Sequence, residues 1–329
     1  MRVLVTGGAG YIGSHTVRRL AEHGHEVWVY DNLSLGHREA VPAERLIVAD
    51  LADRDTLLHG LQSKRIEAVV HFAALAQVGE SVKDPLKYYG NNLKLSLSLM
   101  QAMQEAGIQK MVFSSTCATY GLPTRVPIDE CEKQQPINPY GRTKLAIEWA
   151  LEDCAQAYHW GFAALRYFNA AGASPRGDIG EDHNPETHLI PLVLQVALRQ
   201  RPYIAIFGDD YDTPDGTCIR DYIHVDDLAE AHALALQRLS PGSAIKCNLG
   251  IGQGYSVKEV IKVCEQVSGQ TIPFQVSARR EGDPPRLVAQ ATRAHEQLNW
   301  QPHYRDLESI VESAWLWHRL HPFGYKSKT

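Results

Sequence analysis

"RVLVTGGAGYIGSHTVRRLAEHG", residues 2–24, decides how the rest of the chain is read. A short apolar run to Thr6 predicts a strand, a glycine-rich turn follows, and apolar positions then recur at helical spacing until Gly24. Gly7, Gly10 and Gly13 form G-x-x-G-x-x-G at that junction. Glycine there allows a tight turn and close backbone approach to a pyrophosphate, whose charge the helix N-terminus stabilises. Tyr11 and Ile12 open the helix and belong to the same cradle. The next apolar run, "HEVWVYDNL", carries Asp31 and Asn32 at its end. A carboxylate at that point can accept the ribose hydroxyls of NAD and repels the 2′-phosphate of NADP.

Outward from this unit, strand-like runs recur as "RLIVAD" to Asp50, "AVVHFAA" at 68–74, "MVFSST" at 111–116 and "AALRYFN" at 163–169. Helical stretches fall around 86–106 and 140–158. The alternation predicts an α/β fold, a doubly wound parallel sheet of Rossmann type, with ligands at the carboxyl ends of its strands. Asp50 and Leu51 then flank the adenine, and Phe72 and Ala73 line the dinucleotide. His15 and His71 read as packing residues. The NAD-binding domain is expected over 1–169, with a smaller α/β substrate domain over 170–329. Within the latter, "RDYIHVDDLAEAHALAL" at 220–236 is expected to pack back on the cofactor domain. The Gly- and Pro-rich stretch "GASPRGDIGEDHNPETH" reads as a flap.

Bulk properties narrow the function class. The 329 residues are 44% hydrophobic and 22% charged, with a formal charge of −5 and no basic block, which argues against nucleic-acid or membrane-surface binding. Six cysteines without a C-x-x-C suggest reduced thiols and neither a disulfide framework nor a metal site. No run reaches transmembrane length and "RVLVTGG" lacks a signal-peptide layout, so a cytoplasmic enzyme is expected.

Chemistry enters with "NPYGRTK", residues 138–144. Pro139 suits a first helical position, and Tyr140 and Lys144 share one face a turn apart. Thr116 ends the preceding strand. Together they place a hydroxyl, a phenol and a cation over a nicotinamide. A phenol of pKa near 10 is a poor base at neutral pH. A unit charge about 4 Å away contributes roughly 4 kcal/mol at an effective dielectric of about 20, on the order of three pKa units. Lys144 and an oxidised nicotinamide are therefore expected to bring Tyr140 near working pH. Cys117 reads as a small packing residue, since no His partner is suggested by spacing. Trp300, Trp315 and Trp317 read as core.

With "GGAGYIGSH", "HFAALAQVGESV", "YYGNN", "FSSTCATYG", "NPYGRTK", "RYFNAAGA", "GTCIRDYIHVDDLAEAH", "RREGDPPR" and "WHRLHPFGY", the chain resembles the UDP-glucose 4-epimerase family of the extended short-chain dehydrogenase/reductases along almost its whole length. That resemblance implies reversible 4-epimerisation of UDP-glucose and UDP-galactose through a 4-keto sugar, with tightly held NAD regenerated at each turnover. It assigns Thr116, Tyr140 and Lys144 as catalytic and adds Asn92 and Phe168 to the cofactor site. For the UDP-sugar it implies Asn169, His188, Leu189, Ala205, Ile206, Phe207, Arg220, Arg280, Asp283 and Leu287. Arg220 and Arg280 suit forked contacts with a diphosphate, and Asp283 suits the uridine ribose. A homodimer through the helices near 86–106 and 140–158 is implied as well.

Three positions depart from the family pattern: Ala76 where a lysine often lies, His188 in place of an amide, and Leu287 facing the sugar's C2 substituent. N-acetylated sugars are thus expected to react more weakly. A 4-epimerase of UDP-xylose, UDP-glucuronate or UDP-N-acetylglucosamine is the competing expectation. A 4,6-dehydratase needs an Asp-Glu pair where Cys117 and Ala118 stand. A non-catalytic redox sensor would have no use for the catalytic trio.

Overall fold

The computed structural model describes residues 1–280 and 283–325; Glu281 and Gly282 of the "RREGD" stretch lie outside them. The strands are β1 (Arg2–Thr6), β2 (Glu26–Asp31), β3 (Leu46–Val48), β4 (Ala68–His71), β5 (Lys110–Thr116), β6 (Gly161–Tyr167), β7 (Asn169–Ala171), β8 (Ile204–Phe207), β9 (Ile219–His224), β10 (Ala244–Leu249), β11 (Gly254–Ser256), β12 (Phe274–Ser277) and β13 (Arg286–Leu287). The helices are α1 (Tyr11–Glu22), α2 (Arg54–Ser63), α3 (Val78–Lys83), α4 (Pro85–Tyr88), α5 (Leu95–Glu105), α6 (Pro139–Tyr158), α7 (Leu189–Ala197), α8 (Val225–Arg238), α9 (Val257–Ser268), α10 (Thr292–Leu298) and α11 (Leu307–Leu320), with a π-helical turn at Tyr89–Lys94 before α5.

Seven parallel strands form the main sheet in the order β10-β6-β5-β4-β1-β2-β3. The order reverses between β1 and β4, and that switch point opens a crevice at the strands' carboxyl ends. Period-two alternation explains the double burial. Val3 and Val5 join one apolar cluster with Val17 and Leu20 of α1 and Leu228 of α8. Leu4, between them, joins the other with Leu57 of α2, Leu99 of α5 and Ile147 of α6.

The seventh strand corrects the domain division at 169. Residues 244–249 pair with β6 from Ala244↔Phe162 to Leu249↔Tyr167, so they belong to the cofactor sheet. Helix α8 carries the chain back across the face that α1 also covers, and a returning crossover of this kind feeds a parallel edge strand. The remaining segments surround a second core, where α7, α9 and α11 bring together Val193, Leu194, Val260, Ile261, Ile310 and Val311. Strand β9 pairs with β7, β11 and β13. The buried Asp221 carboxylate holds that region together, accepting the backbone N–H groups of Ile251, Gly252 and Ala289 at 2.9–3.0 Å.

The stretch 172–188 is less open than a flap. Gly172, Ala173, Ser174, Ile179 and Glu181 are buried. Arg18 clasps Asp178 through two hydrogen bonds, and the Trp317 indole donates to the Glu181 carbonyl at 3.0 Å. Among the described residues no helix is long and apolar enough to cross a membrane.

Candidate active site

The glycine loop is built by steric exclusion. Gly7 has φ +69, and a Cβ there would lie 2.5 Å from the Ala73 nitrogen. A Cβ on Gly13 would lie 2.2 Å from the Gly7 carbonyl oxygen, so α1 abuts the loop because glycine is present. Gly10 is the N-cap and makes no side-chain cap bond. The helix therefore begins without a capping oxygen, which suits an anion. Asp31 ends β2 with both oxygens engaged, Oδ2 by the Ala9 N–H at 2.9 Å and Oδ1 by the Leu33 N–H at 2.8 Å. A carboxylate has further acceptor capacity, so these bonds aim the group while leaving sites for ribose hydroxyls. Burial raises its pKa, and the two backbone donors oppose that rise.

Asn32 donates to Asp50 at 2.7 Å, joining the ends of β2 and β3. Leu51 is buried in the core, and Phe72 packs tilted on the His232 ring, centroids 4.7 Å apart. The Phe72 and Ala73 N–H groups donate to the Thr6 carbonyl. Asn92, in the π-helical turn and fully buried, bonds both the N–H and the carbonyl of Leu75, at 2.8 and 2.9 Å. It fixes the backbone after β4. Ile12 packs into the core, and the Tyr11 hydroxyl donates to the Gly172 carbonyl at 2.6 Å. That phenol is committed to the protein's own backbone.

Asn138 caps α6 by accepting the Gly141 N–H at 2.8 Å, which places Tyr140 and Lys144 over the end of β5. Tyr140, Lys144 and Thr116 are all buried. Lys144 Nζ donates to the Ser114 carbonyl at 2.7 Å and lies 5.9 Å from the Tyr140 ring centroid. Burial pushes the Tyr140 phenol far above its ordinary value, Tyr167 adds to that rise, and hydrogen bonding with Thr116 opposes it. Burial also lowers Lys144 to about 7, against the opposing charge of Glu148. Burial dominates both groups within the protein alone, and the expected descent of Tyr140 toward working pH depends on the charge of an oxidised nicotinamide together with Lys144.

Sequence reading missed the frame behind this trio. Glu148, one turn beyond Lys144, accepts from Ser115 Oγ at 2.5 Å and pairs with Arg166 of β6. Arg166 also donates to the Tyr120 hydroxyl at 3.0 Å, which donates in turn to Asn248 of β10 at 2.6 Å. Against the cost of burial, the hydrogen bonds and charge of Glu148 hold the guanidinium protonated. An arginine inside the apolar run "AALRYF" was the available signal, because a buried charge requires a partner. His71, by contrast, packs as expected: it bonds Thr6 at 2.6 Å and Ser96 at 2.8 Å, and burial lowers it to about 3. His15 pairs with Asp226 at 2.6 Å. Cys117 is raised to about 12 by burial, far from a nucleophile's range.

The residues assigned to the UDP-sugar divide into two groups. Leu287 pairs with Arg220 across β13 and β9, and packs beside Cys117 against Phe168. Asn169 donates to the Asp221 carbonyl at 2.9 Å. Arg220 forms an ion pair with Asp283, and Arg280 lies 4.0 Å over the Phe207 ring. In β8, Ala205 and Phe207 are partly exposed, whereas the Ile206 side chain is buried in the core and could offer a ligand only its backbone. Leu189 begins α7 and packs against the same core. His188 turns to Glu181 and stands outside this constellation.

The chain resembles known proteins over its whole length. A curated UDP-glucose 4-epimerase of Halalkalibacterium halodurans is 54% identical, covering 100% of this chain and 98% of that protein. The solved UDP-glucose 4-epimerase from Brucella ovis in complex with NAD superposes with TM-score 0.92 at 48% identity, over 95% of this chain and 97% of that one. A Bifidobacterium longum UDP-glucose 4-epimerase in complex with NAD+ and UDP gives TM-score 0.94 at 36% identity, over 99% and 100%. A dinucleotide cradle that only glycine permits, a β2 carboxylate and a Thr-Tyr-Lys trio meet in residues 3–250, which match the model of the NAD dependent epimerase/dehydratase family, and the chain belongs to that family.

Proposed function

We infer that this chain is an NAD-dependent isomerase that inverts C4 of UDP-glucose and UDP-galactose reversibly. The convergence of Thr116, Tyr140 and Lys144 at the carboxyl end of β5, two strands from the β1 end that carries the glycine loop, carries the reading. NAD bound at that loop supplies a reversible hydride acceptor and a positive charge beside the phenol. Tyr140 holds and returns the proton of the C4 hydroxyl, and Thr116 hydrogen-bonds the same oxygen. Lys144, anchored on the Ser114 carbonyl, orients the ribose side of the site. Burial of all three excludes water, so a 4-keto sugar is protected while it turns over.

The nucleotide is held by Arg220, Arg280 and Asp283, with Asn169, Leu189, Ala205, Phe207 and the backbone of Ile206 around it. Firm retention of UDP and loose retention of the hexose let the sugar present either face. Exposed Val82 and Leu86 on α3 and α4 and Trp149 on α6 support a homodimer through this surface. Free cysteines support a reducing, cytoplasmic setting. The galactose branch of carbohydrate metabolism is the setting that suits the reaction.

The test is UDP-galactose turnover by wild type and Tyr140→Phe, with denatured protein checked for released NAD. Wild-type turnover without added cofactor, lost in Tyr140→Phe while NAD is retained, supports the reading. Equal rates in both proteins overturn it.

A further inference from the structure

We propose that Glu181, His183, Glu186 and His188 form a structural site for a divalent transition cation, Zn2+ in its simplest form, that locks the segment before α7 against the first turn of α1. One ligand atom from each of the four lies within 4.8 Å of the other three. His183 Nδ1 is 3.2 Å from Glu181 Oε1 and 3.6 Å from Glu186 Oε2. His188 Nδ1 hydrogen-bonds the same Glu181 oxygen and stands 4.0 Å from Glu186 Oε1. The two imidazoles meet edge to face, centroids 5.4 Å apart.

Charge explains why a cation fits. A single carboxylate oxygen flanked by two Nδ1 atoms needs a proton on each of those nitrogens, in neutral or charged rings alike, and a cation can take their place. A divalent ion replaces both protons and balances both carboxylates. Two imidazole nitrogens and two carboxylate oxygens are a borderline donor set, suited to four-coordinate Zn2+ with no position left for substrate.

The surroundings hold the donors in place. The Glu181 carbonyl accepts from Trp317, the Asp182 carbonyl from His37 Nε2 at 2.9 Å, and Asp182 Oδ2 from the Tyr325 N–H at 2.9 Å. The Glu186 carboxylate is fixed by the N–H groups of Thr187 and His188. Tyr11, first residue of α1, packs edge-on against His183 at 6.2 Å. The spacing E-x-H-x-x-E-x-H brings these ligands from eight consecutive residues, directly before Leu189.

The experiment uses the full chain with its NAD, stripped with dipicolinate and dialysed, then titrated with Co2+ as a spectroscopic probe and with Zn2+. The expected result is about one ion per chain, a tetrahedral Co2+ absorption band, and a Tm rise on the order of 5 °C at a hundredfold excess of Zn2+ over its Kd. His183→Gln combined with Glu186→Gln should abolish all three, with retained NAD reporting that the variant is folded. Failure of wild type to take up either ion, or unchanged uptake by the double variant, overturns the proposal. None of these readouts depends on epimerase turnover.

Discussion

Glu148 of α6 and Arg166 of β6 form a fully enclosed ion pair, Nη2 to Oε2 2.5 Å, one helical turn from Lys144. The pair ties the catalytic helix to the sheet, and the same carboxylate holds Ser115, the neighbour of Thr116. Glu148→Gln should weaken this frame, since removing one charge leaves a buried guanidinium uncompensated. The expected loss is about 3–5 kcal/mol, read from urea unfolding. Glu148→Met with Arg166→Met should recover much of that stability yet still lower kcat, because Ser115 loses its partner. Recovery of kcat alongside stability would refute a positioning role.

Tyr140→Phe should reduce kcat by at least about 10²-fold while leaving NAD content unchanged. The phenol is buried and its ring already packed, so the variant removes one oxygen and no shape. Stopped assays with UDP-galactose and NAD quantified after denaturation provide both readouts.

The lowered Lys144 predicts a pH signature in stability. The unfolded lysine keeps its proton up to its ordinary 10.5, whereas the folded one releases it near about 7. Between these values the unfolded state binds more protons, so unfolding free energy rises with pH. Wild type measured against Lys144→Met, both free of NAD, should therefore gain on the order of 4 kcal/mol from pH 7 to pH 10. Parallel curves for the two proteins would show that Lys144 keeps an ordinary pKa.

Gly13→Ala places a methyl 2.2 Å from the Gly7 carbonyl oxygen and 2.7 Å from Gly8 Cα, both backbone atoms. Forced shifts of this kind cost about 1–3 kcal/mol, and here they distort the cradle itself. The purified variant should carry markedly less NAD than wild type, measured by its release on denaturation.

Leu287 packs beside Phe168 and Cys117 at the catalytic strand end, so its bulk should restrict substituents at the sugar's C2. We expect kcat/KM for UDP-galactose to exceed that for UDP-N-acetylglucosamine by at least about 10-fold, with Leu287→Ala narrowing the gap. Equal efficiencies in wild type would defeat this expectation.

Local signals carried much of the molecule. Gly7, Gly10, Gly13 and Asp31 lie within one βαβ unit, and Tyr140 and Lys144 within one helical turn, so local spacing grouped each set and the family resemblance supplied the catalytic roles. Contacts between distant segments were not legible in the same way. Glu148 and Arg166 look like ordinary charged residues until β6 and α6 are packed together. Val82, Leu86 and Trp149 reveal an apolar face only when their neighbours are known. Ile206 sits in a stretch that suggested ligand contact, but alternation along β8 turned it inward. Glu181, His183, Glu186 and His188 are close in sequence, yet their polar composition and flanking Gly and Pro read as a mobile loop. Burial by Trp317 and Tyr325, more than 130 residues later, supplies the order.

The late arrival of β10 has a consequence for biosynthesis. A nascent chain released only as far as residue 169 leaves β6 as an open, apolar sheet margin, with Phe162 through Tyr167 awaiting a partner. Completion of the nucleotide-binding half is deferred until Ala244–Leu249 has left the ribosome. Cutting the gene at the apparent domain border should therefore yield a fragment that self-associates, while the two halves mature together as one cooperative unit.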